Sequence, residues 1–91
     1  MPRRRTRCII PGYNWCGPGC SGPGAPVNRV DAACRAHDLC YRYGGNRCDC
    51  DVAFLRRLEP YIHLSTEEGR TARLIYTYMR FQAGITCSFR R

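Results

Sequence analysis

The sequence predicts a mainly α, small, disulfide-rich domain: two antiparallel helices carrying a polar site, a glycine-rich loop before them, and a third C-terminal helix. Three observations predict it. A chain of 91 residues is too short to bury a comfortable core without covalent or metal help. Its eight cysteines, an even number spread from Cys8 to Cys87, supply that help in the manner of a disulfide scaffold. Apolar residues recur at helical spacing only after about residue 30.

Taken in order, Met1-Pro2-Arg3-Arg4-Arg5-Thr6-Arg7 reads as a solvated basic tail (residues 1–7), and residues 8–91 as one domain. Up to residue 30 the chain is punctuated by Pro11-Gly12, Gly17-Pro18-Gly19, Gly22-Pro23-Gly24 and Pro26, so it is loop held by cysteines. From Val30 the pattern changes. Val30, Cys34, His37, Asp38 and Tyr41 share an arc of about 100° on a helical wheel, either Asn28 or Asp31 can cap the start, and Gly44-Gly45 offers a stop. A second helix is expected from about Asp49 or Asp51, with Val52, Leu55 and Leu58 on one stripe and Pro60 ending it. The third opens on the capping-box pattern Ser65-Thr66-Glu67-Glu68 and carries Leu74, Ile75, Tyr78, Met79 and Phe81 as far as Gly84.

Composition narrows the chemistry. The cysteine spacings contain no CxxC pair and no second histidine placed to complete a tetrahedral site, which argues for disulfides over zinc. Disulfides imply a secreted, extracellular setting, yet no apolar signal region follows the first arginines and no run reaches the roughly eighteen apolar residues that span a bilayer. All fifteen basic residues are arginine and the net charge is +8, so polyanions are the favoured partners. Composition alone leaves both nucleic acid and an anionic phospholipid membrane surface open, although the arginines come without a recognised nucleic-acid module, and the chain is expected to be a monomer.

Two segments carry chemistry. In Trp15-Cys16-Gly17-Pro18-Gly19 the glycines let backbone carbonyls turn inward, and carbonyls with a carboxylate such as Asp38 suit a hard cation such as calcium. His37 stands beside Asp38, but adjacent helical residues point about 100° apart, so the two must address different partners. Arg47-Cys48-Asp49-Cys50-Asp51, at the start of the second helix, supplies further carboxylates. A carboxylate on one imidazole nitrogen leaves the other to take a proton from water.

The loop Trp15 to Gly19 resembles the calcium loop of secreted phospholipases A2, and Asp31 to Tyr41, "DAACRAHDLCY", resembles their catalytic-helix signature. Ile9-Ile10-Pro11-Gly12 and Cys48-Asp49-Cys50-Asp51 make the chain most similar to the group III, bee-venom-like branch. The resemblance implies that His37 is the general base and that Asp51 orients it. It implies calcium held by Asp38 and the carbonyls of Trp15, Gly17 and Gly19, with the Gly17 amide aiding the oxyanion. Tyr41 and one of Tyr76 or Tyr78 are implied as supports of Asp51. The implied reaction is calcium-dependent hydrolysis of the sn-2 ester of glycerophospholipids. The implied disulfides are Cys16 with Cys34, Cys40 with Cys50 and Cys48 with Cys87, leaving Cys8 with Cys20. Here Ala33 stands where the family usually has a second cysteine, and its usual partner is missing near Arg57, so a whole bridge is gone.

Other residues read more plainly. His63, between Ile62 and Leu64, has no carboxylate at a fixed spacing and is structural; Asp49 faces solvent at a helix start. Ile9, Ile10 and Leu39 are candidates for an apolar rim at a membrane interface. The rival to an enzyme is an inactive basic membrane-binding or toxin-like module on the same scaffold, which predicts damage at His37, Asp38 or Asp51; none is seen.

Overall fold

A computed structural model describes residues 10–17, 20 and 22–88. The basic tail, Cys8, Ile9 and Gly19 lie outside the described residues. Three helices, α1 (Arg29–Arg42), α2 (Arg47–Leu58) and α3 (Glu67–Ser88), follow the loop, with a short 3-10 turn at Glu59–Tyr61 between the last two. None is long and apolar enough to cross a membrane.

Asn28 caps α1: its side chain accepts the Asp31 N–H, while Gly44, at φ +85°, turns the chain beyond the other end. Asp31 is thereby released for a different task. α2 begins earlier than the apolar stripe indicates, because Asn46 caps it by accepting the Asp49 N–H. At α3 the capping box does not close. Thr66 Oγ1 accepts the Gly69 N–H, and Glu68 instead accepts the backbone N–H of Arg29 and its guanidinium, at 2.9 to 3.3 Å, docking α3 onto the start of α1. α3 also runs through Gly84 to Ser88. A helical glycine costs only about 1 kcal/mol, and a disulfide at Cys87 holds the turn that follows.

The helices are antiparallel in both packed pairs. Cys40 of α1 bonds Cys50 of α2, and His37, one turn earlier, stacks on Phe54, one turn later. Cys48 at the start of α2 bonds Cys87 near the end of α3, whereas Tyr76 reaches back to Glu59. Cys16–Cys34 fastens the loop to α1 across an 18-residue separation, a closure that contributes about 3 kcal/mol in the chain-entropy model. Cys20 is disulfide-bonded as well, and the expected pairing with Cys8 falls outside the described residues. Between these staples Trp15, Val30, Phe54, Leu58, Ala72 and Met79 form the core.

What seats the loop is Asp31. Its side chain is wholly buried, and four backbone amides converge on it: Trp15 at 2.8 Å and Cys16 at 3.1 Å on Oδ1, Asn14 at 3.1 Å and Val27 at 3.0 Å on Oδ2. Burying a carboxylate is tolerable only with such compensation. The indole Nε1–H of Trp15 donates to the Gly24 carbonyl at 2.9 Å, and the ring lies against Gly22. Gly22 has φ +87°, and a Cβ there would stand 2.6 Å from the ring, so both backbone and space demand glycine.

Asp31→Ala is expected to leave those amides without their acceptor and to cost more than about 3 kcal/mol, since each unsatisfied buried group costs roughly 1–3 kcal/mol. Asp31→Asn, which keeps one acceptor oxygen, should fall in between. Urea denaturation under non-reducing conditions checks the order, and equal stabilities for all three proteins would contradict it.

Candidate active site

α1 and α2 bring His37 and Asp51 together. His37 Nε2 lies 2.7 Å from Asp51 Oδ1, and the ring is fixed between Phe54, stacked at 4.4 Å, and Tyr41, tilted at 4.5 Å. A carboxylate accepts only, so the neutral imidazole carries its proton on Nε2 and leaves Nδ1 as an acceptor. The ring lines a cavity of about 440 Å³ whose walls include Ile10, Trp15, Gly17, Asp38, Phe54, Leu74, Ile75, Tyr78, Met79 and Gln82. It is mostly apolar, with His37, Asp38 and Gln82 among its few polar side chains.

Asp51 is also wholly buried and is satisfied at both oxygens. Oδ1 accepts from Tyr41 at 2.6 Å besides His37, and Oδ2 accepts from Thr86 Oγ1 at 2.8 Å and Gln82 Nε2 at 3.4 Å. Gln82 also donates to the Tyr41 hydroxyl at 3.1 Å. Burial pushes the Asp51 carboxyl upward, but hydrogen bonds from Tyr41, His37, Thr86 and Gln82 outweigh it and hold it below the ordinary value of 3.8. Tyr41 moves the other way, to about 12, through burial first and then its bond to the Asp51 carboxylate.

The tyrosine expected from the third helix, Tyr76 or Tyr78, is therefore not the α3 partner of Asp51. Tyr78 is 58% exposed at the cavity mouth, and Tyr76 donates to Glu59 at 3.4 Å; Gln82 and Thr86, one and two turns beyond Tyr78, take the place assigned to a tyrosine. The sequence held a signal for them. Two polar residues four apart fall on the same side of α3 as Ile75, Met79 and Ala83, where a helix buries apolar groups.

Asp38 and Gly17 lie on the same cavity as His37. Asp38 Oδ2 is withdrawn from solvent, on the face of α1 that meets the loop. Gly17 has φ +111°, a conformation natural to glycine. The Trp15–Cys16 peptide is planar and trans, so placing the Cys16 N–H on Asp31 turns the Trp15 carbonyl to the opposite side. The Gly17 carbonyl accepts the Cys20 N–H at 3.1 Å and retains a second lone pair. One carboxylate with backbone carbonyls is an all-oxygen donor set that fits calcium. No cluster of three His, Cys, Asp or Glu side chains able to hold a metal occurs among the described residues. The cysteines expected to pair are disulfides, not thiolate ligands.

The other candidates fall elsewhere. His63 is exposed and is not among the cavity residues, and Asp49 is exposed in the first turn of α2. Of the apolar rim, Ile10 lines the cavity, while Leu39 is half-buried and is not among the cavity residues.

A family model described as "Phospholipase A2-like domain" matches residues 6–70, which include the loop, α1 and α2. "Acidic phospholipase A2 6" of Naja sagittifera is 31% identical over 91 aligned residues, covering 90% of this chain and 55% of its own length. "Acidic phospholipase A2 CM-II" of Aspidelaps scutatus is 28% identical over 93, covering 94% of this chain and 62% of its own length. "Acidic phospholipase A2 5" of Naja sagittifera is 34% identical over 59, covering 57% of this chain and 46% of its own length. The chain thus spans about half to three-fifths of the relatives it matches. The narrower likeness to the group III branch gains no support from them. No solved structure matches significantly.

The Asp51 junction has a pH signature. With the native carboxyl below 3.8, the unfolded chain binds more protons as acid is added, so the junction's contribution is present above 3.8 and lost as pH falls through the native value. Stability measured by urea denaturation should therefore decline below pH 3.8, and Thr86→Val with Gln82→Leu should flatten that decline. For Tyr41 the contribution is present below 10 and lost as pH rises towards about 12. Tyr41→Phe should remove the alkaline loss; an unchanged alkaline limb would refute its link to Asp51.

Proposed function

The chain belongs to the phospholipase A2-like domain family, and from that membership we propose that it hydrolyses the sn-2 ester of glycerophospholipids at membrane surfaces, with calcium. The observation that carries the reading is a histidine held by a buried carboxylate at 2.7 Å on the wall of an apolar cavity shared with Gly17 and Asp38. That arrangement is competent for general-base hydrolysis of an ester with a long apolar acyl chain.

In this mechanism His37 Nδ1 removes a proton from water as the water oxygen attacks the ester carbonyl carbon. Asp51, kept ionised by its donors, holds the ring orientation and stabilises the imidazolium that forms. The imidazolium then returns the proton to the departing glycerol oxygen as the acyl C–O bond breaks. The products are a fatty acid and a lysophospholipid. Phe54, Ile75 and Met79 give the acyl chain an apolar wall and keep bulk water from the ring. The Gly17 amide donates to the oxyanion. Asp38 and the carbonyls of Trp15, Gly17 and Gly19 would hold calcium, whose positive charge offsets charge developing on the ester oxygen.

The setting is extracellular, supported by the disulfides. Its relatives are named acidic, whereas this chain carries +8, which supports a preference for anionic membranes.

Fatty-acid release from phosphatidylglycerol vesicles should require calcium and stop with EDTA; no release with calcium present would sink the proposal. His37→Gln should lower turnover by at least about a hundredfold while calcium affinity, read by titration calorimetry, stays. Asp38→Asn should lose that affinity. Equal calcium binding by both variants would contradict the division of roles.

A further inference from the structure

The apolar side chains that α3 leaves outside the core do not scatter. Leu74, Tyr78, Phe81 and Ile85 are 65, 58, 71 and 48% exposed. At about 100° per residue they fall within an arc of roughly 60°, along about 16 Å of helix. Leu74 and Tyr78 also line the cavity that holds His37; Phe81 and Ile85 carry the strip beyond it. The strip is continuous with the cavity mouth.

Its two borders differ. On one side stand Ile75, Met79 and Gln82, the cavity wall. On the other stand Arg70, Arg73 and Arg80, all exposed and in no ion pair among the described residues. Arg73 donates to the carbonyls of Ile62 and Leu64, which fixes its guanidinium without neutralising it. The acid on this face, Glu67, lies at the N-terminal end of the helix, away from Phe81 and Ile85. An apolar strip edged by uncompensated arginines fits a surface that is both apolar and anionic.

We propose that this face of α3 seats the protein on an anionic phospholipid bilayer. Phe81 and Ile85 enter the acyl region, and Arg70, Arg73 and Arg80 lie at the level of the phosphates with their stems along the apolar strip. Leu74 and Tyr78 then join the bilayer to the cavity, so a lipid moves from one to the other over apolar surface. The choice of a bilayer as occupant rests on the proposed lipolytic function. Neither Ile9 nor Leu39 is needed for it.

The test separates docking from catalysis. Binding of His37→Gln to phosphatidylglycerol vesicles is measured by co-sedimentation, with and without Phe81→Ser and Ile85→Ser in the same chain. The double change should weaken binding about tenfold or more. Arg70→Glu with Arg80→Glu should also weaken it and reduce its salt dependence. In the chain with His37 intact, Phe81→Ser with Ile85→Ser should leave hydrolysis of a dispersed short-chain phospholipid unchanged while vesicle hydrolysis falls. Unchanged vesicle binding would overturn the docking face, as would equal losses on dispersed and vesicular substrate. Concentration-dependent self-association that the double change removes would overturn it too, by giving the strip to a second copy. Absence of hydrolysis on either substrate would count against the enzymatic reading, and the His37→Gln binding measurement would still decide the docking face.

Discussion

Four backbone amides drawn onto the buried carboxylate of Asp31 hold the loop of residues 14–16 and the segment before α1 in one arrangement. Much of the site depends on that convergence. The loop has no regular structure of its own, so its amides need an acceptor, and the first turn of α1 is where a negative charge is favoured by the helix dipole. Once the Cys16 amide is committed to Asp31, the Trp15 carbonyl must face the other way. Cys16–Cys34 fixes the same loop from below, one turn of α1 before His37 and Asp38. A carboxylate that takes no part in the proposed chemistry thus orients the backbone proposed to hold the metal.

Asp51 does for the helices what Asp31 does for the loop. Its oxygens gather His37 and Tyr41 from α1 and Gln82 and Thr86 from α3, and Cys48–Cys87 clamps the end of α3 where Thr86 approaches. A buried anion in so small a domain would be costly if any donor were misplaced, so the carboxylate and the packing of three helices select each other. The same donors keep the carboxyl ionised, the state in which it can hold an imidazole. Structural and proposed catalytic roles therefore share one group.

The small core leaves a surplus of apolar surface, and α3 shows how it is distributed. Ala72, Met79 and Ala83 face inward, Ile75 borders the cavity, and Leu74, Tyr78, Phe81 and Ile85 face out. A helix with apolar residues on more than one side belongs to more than one environment. The arginines on its remaining edge give the exposed part a sign as well as a polarity.

What the sequence determined by itself was the set of local patterns: the glycine-rich loop, the arc that puts His37 and Asp38 on neighbouring directions, and the helix-forming runs that became α1, α2 and α3. These follow from spacing and residue type, which act over a few residues. The tertiary structure decided the partners. Nothing local tells Asp31 to leave its cap to Asn28 and collect amides from 15 to 17 residues away, or Glu68 to abandon its capping box for Arg29. Nor does spacing show that Gln82 and Thr86, and no tyrosine of α3, meet Asp51. Each such choice depends on which buried polar group lies within about 3 Å once the helices have packed, and distances of that kind exist only in the folded chain.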